Sequence, residues 1–115
     1  MSDIFDQEAL LDRVDNDMEF LAETVAMLEE DGPDLLAQIR EAIEAGDGEA
    51  LAVAAHTYKG MVANFCADST VAAALRLEMM GKGGDLTGAH DALAILEDLG
   101  SRLARALQEL LQDKT

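Results

Sequence analysis

The sequence predicts an all-α chain: an antiparallel four-helix bundle with one or two short additional N-terminal helices. Composition points there first. Half of the 115 residues are apolar, only 3% are aromatic, and alanine and leucine dominate over β-branched residues, a mixture that favours helix over sheet. Glycine then supplies the punctuation: Gly32 beside the single Pro33, Gly46 and Gly48, and the run Gly81-Lys82-Gly83-Gly84 interrupt regular structure. Between these breaks apolar residues recur every three or four positions, the period of one helix face. A single domain over residues 1–115 is expected. Domains of about 100 to 150 residues are the commonest, and a chain of this size buries roughly two-thirds of its unfolded surface.

Each element has its own justification. Asp6 offers an N-cap to a short first helix carrying Ala9, Leu10 and Val14. A second segment, from about Asp17 to Glu30, places Met18, Leu21, Val25 and Leu28 at helical spacing. Pro33 suits a first helical turn, so a third helix is expected to start there, turn Leu35, Leu36, Ile39 and Ile43 inward, and stop near Gly46. Asp47 caps a fourth helix reaching about Cys66, and a fifth runs from near Asp68 to Met80, with Ser69 as a capping residue at its start. The last and longest runs from about Asp85 to Leu111. Its Leu86, Ala89, Leu93, Leu96, Gly100, Leu103, Leu107 and Leu110 alternate by three and four, a sustained apolar seam. Short connections between amphipathic helices make successive helices antiparallel.

Charge and cysteine content exclude several functions. With 24 acidic against 8 basic residues the net charge is -16, which repels phosphate backbones and anionic bilayers alike; no nucleic-acid or membrane partner is expected. Cys66 is the only cysteine, so an internal disulfide and a cysteine-cluster metal site are both ruled out; it reads as a small, half-buried apolar residue. No apolar run is long enough to span a bilayer, and the start Met-Ser-Asp-Ile-Phe-Asp lacks the basic and apolar regions of a secretory signal. A soluble cytoplasmic monomer is the expectation. The acidic residues fall mostly on polar faces, where they solubilise the surface and make no dedicated cation site. The glycine run around Lys82 has no Ser or Thr after the lysine and no strand before it, so it is not a nucleotide loop; its glycines end one helix and start the next. There is no Glu-x-x-His pair for a di-iron site, and neither metal nor cofactor is expected on this chain. His90 reads as a surface or boundary residue, and Met61, Met79 and Met80 as core packing.

The fourth helix carries the chemistry. With His56 at zero on a wheel of about 100° per residue, Leu51, Ala54, Ala55, Tyr58, Met61, Val62 and Phe65 fall between roughly 140° and 260°. They form one buried arc opposite the histidine. Lys59, Gly60 and Ala63 fall at about -60°, +40° and -20°, beside it on the outer face. An exposed imidazole is substantially neutral near pH 7 and has a lone pair for an electrophile. A lysine at i+3 offers ammonium protons to an anionic group attached there. Glycine at i+4 costs the helix about 1 kcal/mol relative to alanine, and close approach of a second protein is what would offset it. A nucleophile on such a shaved face, with no acid–base partner of its own, suits transfer between proteins better than turnover of a small substrate.

The string His56-Thr57-Tyr58-Lys59-Gly60 resembles the H-x-[hydrophobic]-K-G signature of histidine-containing phosphotransfer (HPt) domains. Leu77-Glu78-Met79-Met80-Gly81-Lys82-Gly83-Gly84-Asp85 is similar to that family's L-E-x-x-G-[RK]-x-G-[DN] segment. The likeness covers about Phe5 to Leu110. It implies a phosphorelay carrier whose histidine takes a phosphoryl group from a receiver-domain aspartyl phosphate and hands it to another receiver. The partners so implied are receiver domains of response regulators or hybrid histidine kinases, which bring their own Mg²⁺. Carried over by position, His56 would be the phosphoacceptor, Lys59 and Lys82 would hold the phosphoryl oxygens, and Glu78 would orient the imidazole. Gly60 would leave room for the receiver, on a docking face of Ala52, Lys59, Gly60, Ala63 and Asn64. Two positions depart from the family: Tyr58 replaces the usual leucine or isoleucine and needs a partner for its hydroxyl, and Cys66 stands where glycine is usual, so a different helix exit is expected there. Two other readings stand beside this one: a non-phosphorylated helical adaptor, and the phosphoacceptor module of a chemotaxis-type histidine kinase.

Overall fold

The computed structural model describes residues 4–114, with side chains to residue 113. Its described residues form five helices and no strand: α1 (Gln7–Arg13), α2 (Met18–Ala45), α3 (Gly48–Ala63), α4 (Asp68–Gly83) and α5 (Ala89–Lys114). Three starts are fixed by aspartates. Asp6, Asp17 and Asp47 accept from the amides of Ala9, Phe20 and Ala50, each at 3.0 Å, satisfying a donor that the first helical turn leaves free. Two ends are fixed by glycine: Gly46 at φ +67 and Gly84 at φ +79 close α2 and α4 in the left-handed conformation.

The four long helices form a closed ring, with α3 packed on α2 and α4, and α5 on α4 and α2. Short turns make neighbours antiparallel. The long helices α2 and α5, of 28 and 26 residues, span about 40 Å at 1.5 Å per residue and account for the 44 Å long axis. The 16-residue α3 and α4 cover only part of that length. Near their shared turn the amide of Asp6 donates to the carbonyl of Cys66 at 3.1 Å, which brings Ile4 and Leu10 into the core.

The expected fold class holds, with one short N-terminal helix, but several boundaries differ, among them the end of α5 at Lys114 where Leu111 was expected. The segments expected at 17–30 and 33–46 are one helix, with Pro33 inside it. The buried series Leu21, Val25, Leu28, Gly32, Ile39 and Ala42, bridged between Gly32 and Ile39 by the half-buried Leu35 and Leu36, keeps its three-four spacing straight through the glycine and proline. Proline costs a helix interior about 3 kcal/mol, yet Pro33 lies exposed on the outer face, and breaking the helix would strand this whole apolar stripe. The helix α3 stops at Ala63, short of Cys66, and α4 runs on to Gly83, past Met80. The helix α5 begins at Ala89, not at Asp85: the Asp85 carboxylate turns onto the Thr87 amide at 3.0 Å, a local turn that competes with a helix start, and Gly88 takes φ +82. Nor does Ser69 cap α4. The residue at the cap is Ala67, without a side-chain bond.

Candidate functional site

The helix α3 buries one face and leaves the other bare. Leu51, Ala54, Ala55, Tyr58 and Val62 are buried, Met61 is half-buried, and His56, Gly60 and Ala63 are exposed, the distribution that the helical wheel gives. Beside it α4 comes unusually close because two glycines meet. A Cβ on Gly81 would lie 2.5 Å from the Gly48 carbonyl oxygen and 2.7 Å from the Ala52 amide, closer than real atoms approach. Gly81 is therefore a packing residue between helices, with Gly84 as the helix end. In this antiparallel register Ala52 faces Gly81, and one turn along, His56 faces Glu78.

Glu78 is the hub of the site. It is 3% exposed, and its two oxygens gather three nitrogens from two helices. His56 Nδ1 lies 3.1 Å from Oε2, Lys59 Nζ 2.8 Å from Oε1 and Lys82 Nζ 3.1 Å from Oε2. The Lys59 ammonium first, then Lys82 and His56, hold the carboxyl well below its ordinary range, at about 2, against the opposing push of desolvation. A carboxylate can only accept, so Nδ1 carries the proton and donates, and Nε2 is left with the lone pair. The histidine side chain is 67% exposed, which leaves that lone pair open to solvent.

The helix geometry also puts a limit on the lysines. Lys59 is half-buried and tied to Glu78, not a free cation beside the ring, while Lys82 reaches the same carboxylate from one turn along α4 and stays largely exposed. Gly60 has nothing within 4 Å of where a Cβ would stand. Internal packing does not require a glycine there. Ala63 and Asn64 are exposed beyond it, whereas Ala52 is half-buried against α4, so the docking face expected from the sequence is narrower at that end.

Over residues 23–113 the sequence matches the Hpt domain family. The chain belongs to the Hpt domain family. Its structure is similar to that of histidine-containing phosphotransfer protein B (HptB) from Pseudomonas aeruginosa PAO1, with a TM-score of 0.89 and 20% identity over 98% of each chain; at that identity the likeness speaks to the fold. Among curated proteins no match is found.

Three residues on the Hpt domain's outer face were not picked out as candidates from the sequence. Val53 on α3 and Leu75 and Met79 on α4 are 64%, 41% and 56% exposed, so Met79 is not core packing, although Met61 and Met80 do pack against the core. Large apolar side chains off the buried faces of the two helices were the available signal. Cys66 is a half-buried free thiol; it holds φ +55 at the exit of α3, a left-handed conformation that glycine adopts without strain. The Tyr58 hydroxyl has no hydrogen-bond partner among the described residues. His90 is exposed. The described residues contain no group of three His, Cys, Asp or Glu side chains placed to hold a metal ion, and no helix long and apolar enough to cross a membrane.

Proposed function

We propose that this Hpt domain is a phosphoryl carrier of a two-component phosphorelay: His56 accepts a phosphoryl group from an aspartyl phosphate on a receiver domain and delivers it to another receiver. The observation that carries the reading is the hydrogen bond from His56 Nδ1 to the buried Glu78 carboxylate. It fixes the tautomer and aims Nε2 outward beside a glycine that the fold itself does not need. The Nε2 lone pair attacks phosphorus, an N–P bond forms, and the bond to the aspartyl oxygen breaks with its electron pair leaving on that carboxylate. Nδ1 keeps its proton, and the positive charge that develops on the ring faces Glu78. Onward transfer runs the same exchange in reverse, to a second aspartate.

The remaining side chains support this chemistry. Lys59 and Lys82 each offer three N–H donors, and their ion pairs with Glu78 hold them on the carboxylate that His56 also bonds, where phosphoryl oxygens would arrive. Gly60, Ala63 and Asn64, with the exposed Val53, Leu75 and Met79, give a low, partly apolar surface for the receiver. Any Mg²⁺ is expected on that partner, and this chain carries the group without kinase or phosphatase turnover of its own.

Incubation with a phosphorylated receiver tests the proposal. Label should move to this chain in an acid-labile, alkali-stable form, and His56→Gln should abolish it while far-UV circular dichroism is unchanged. Absence of label from wild type with several receivers and kinases would leave the adaptor reading. Labelling by a kinase domain with ATP, faster than by any receiver, would make the chain a chemotaxis-type phosphoacceptor module.

A further inference from the structure

We propose that the groove between α2 and α3, beside His56, selects the receiver, and that it takes a receiver face presenting lysine or arginine side chains around an apolar residue. The inference rests on the phosphorelay reading and extends it from the reacting groups to the chemistry of the partner. The groove holds about 580 Å³. Its floor is Ala42 and Ala54, each 5% exposed, and its walls are Ala45, Ala50 and Val53. Alanine at four of these five positions leaves the space between the helices unfilled. Val53 stands 64% exposed, so a partner seated there takes its side chain out of water.

Charge decides what the occupant carries. Glu41, Asp47 and Glu49 surround the apolar floor, Gln38 is the remaining polar residue, and no cation lines the groove. Arg40, the single basic residue of α2, turns the other way and pairs with Glu97 on α5 at 2.8 Å. Neither Glu41 nor Glu49 has an ion-pair partner among the described residues. Along α3, Glu49, Val53, His56 and Gly60 follow at spacings of four, three and four, so they share one face, and Glu49 lies two turns, about 10 Å, from the histidine. The face is therefore polarised, with Lys59 and Lys82 beside His56 and carboxylates at the groove. A receiver brings its aspartyl phosphate, an anion, to the lysines, and its neighbouring surface then lies over the carboxylates. Basic side chains there complement the groove, and the opposite polarity of the two ends fixes one orientation of docking. A receiver with an acidic surface in that place is repelled, which is selection by charge.

The test measures transfer to the full chain from a panel of purified receiver domains phosphorylated with acetyl phosphate, and carries forward the receiver that labels wild type fastest. Glu41→Lys combined with Glu49→Lys should lower the second-order rate constant for transfer about 10-fold, and Glu41→Gln combined with Glu49→Gln should fall between that variant and wild type. The loss should narrow as sodium chloride is raised from about 50 to about 300 mM, because exposed charges are screened. Ala50→Phe, which fills the groove, should also slow transfer. Glu109→Lys combined with Asp113→Lys makes the same change in net charge on α5, which packs on α2 and α4 and not on α3, and should transfer like wild type. Circular dichroism and labelling of His56 by phosphoramidate, which needs no receiver, check that each variant keeps its fold and a reactive histidine. Wild-type transfer by the Glu41 and Glu49 reversal, an equal loss in the α5 variant, a loss that salt leaves unchanged, or undiminished transfer by Ala50→Phe would each overturn the proposal. No label on wild type from any receiver would overturn the phosphorelay reading itself, and this inference with it.

Discussion

Replacing Glu78 by glutamine removes the charge that holds the site together while keeping its shape. The carboxyl is lowered from 4.5 to about 2, a difference that converts at 1.36 kcal/mol per unit to about 3 kcal/mol of stability. Two features reduce what the variant loses. The carboxylate is covered by the lysine side chains near the surface without lying deep, so solvent screens its pairs, Lys82 above all with its side chain 61% exposed; and the amide oxygen of glutamine still accepts from His56 Nδ1. The expected loss for Glu78→Gln is therefore about 1–2 kcal/mol near pH 7. The sign with pH follows from the lowered value. The stabilisation is fully present above the unfolded pKa near 4.5 and is lost as pH falls through about 2, so the gap between wild type and variant should shrink by about half near pH 3. Urea unfolding followed by circular dichroism at both pH values measures it. A gap that is absent near neutrality, or that widens on acidification, would refute the assignment of Glu78 as an ionised hub.

Other substitutions separate packing from docking. Gly81→Ala should cost about 3 kcal/mol or more in unfolding experiments, since its Cβ would collide with backbone atoms of Gly48 and Ala52 that cannot move aside. Gly60→Ala meets nothing and should stabilise by about 0.5–1 kcal/mol, while Gly60→Leu should keep the fold and block transfer from a phosphorylated receiver; normal transfer by the leucine variant would mean that close approach is not the reason for the glycine. Lys59→Ala should slow transfer and shorten the phosphohistidine lifetime. It should also cost about 1 kcal/mol of stability, because the lysine is 24% exposed and pairs with a covered carboxylate; unchanged stability in a melt would contradict that pairing.

The sequence carried the outward histidine and the buried arc opposite it because both depend only on the helical period, which α3 obeys without interruption. It also carried the Asp6 and Asp47 caps, which are local. Gly32-Pro33 misled because a local breaker was outweighed by the apolar stripe from Leu21 to Ala42, which is buried only when α3 and α5 are present. Asp85 misled for the opposite reason: its side chain bonded the nearer Thr87 amide, and a turn replaced a helix start. The grouping of Lys59, Lys82 and His56 around Glu78 depends on the close approach of Gly81 to Gly48 and Ala52, a register between helices that neither helix encodes alone. The resemblance placed Glu78 near the histidine; only coordinates show that it binds both lysines as well.

The most direct measurement is the position of the phosphoryl group on the ring. Phosphorylated with phosphoramidate and observed by ¹⁵N-detected correlation of the histidine side chain, His56 should carry phosphorus on Nε2, with Nδ1 still protonated toward Glu78. Phosphorus on Nδ1, or modification of His90 in place of His56, would contradict the account.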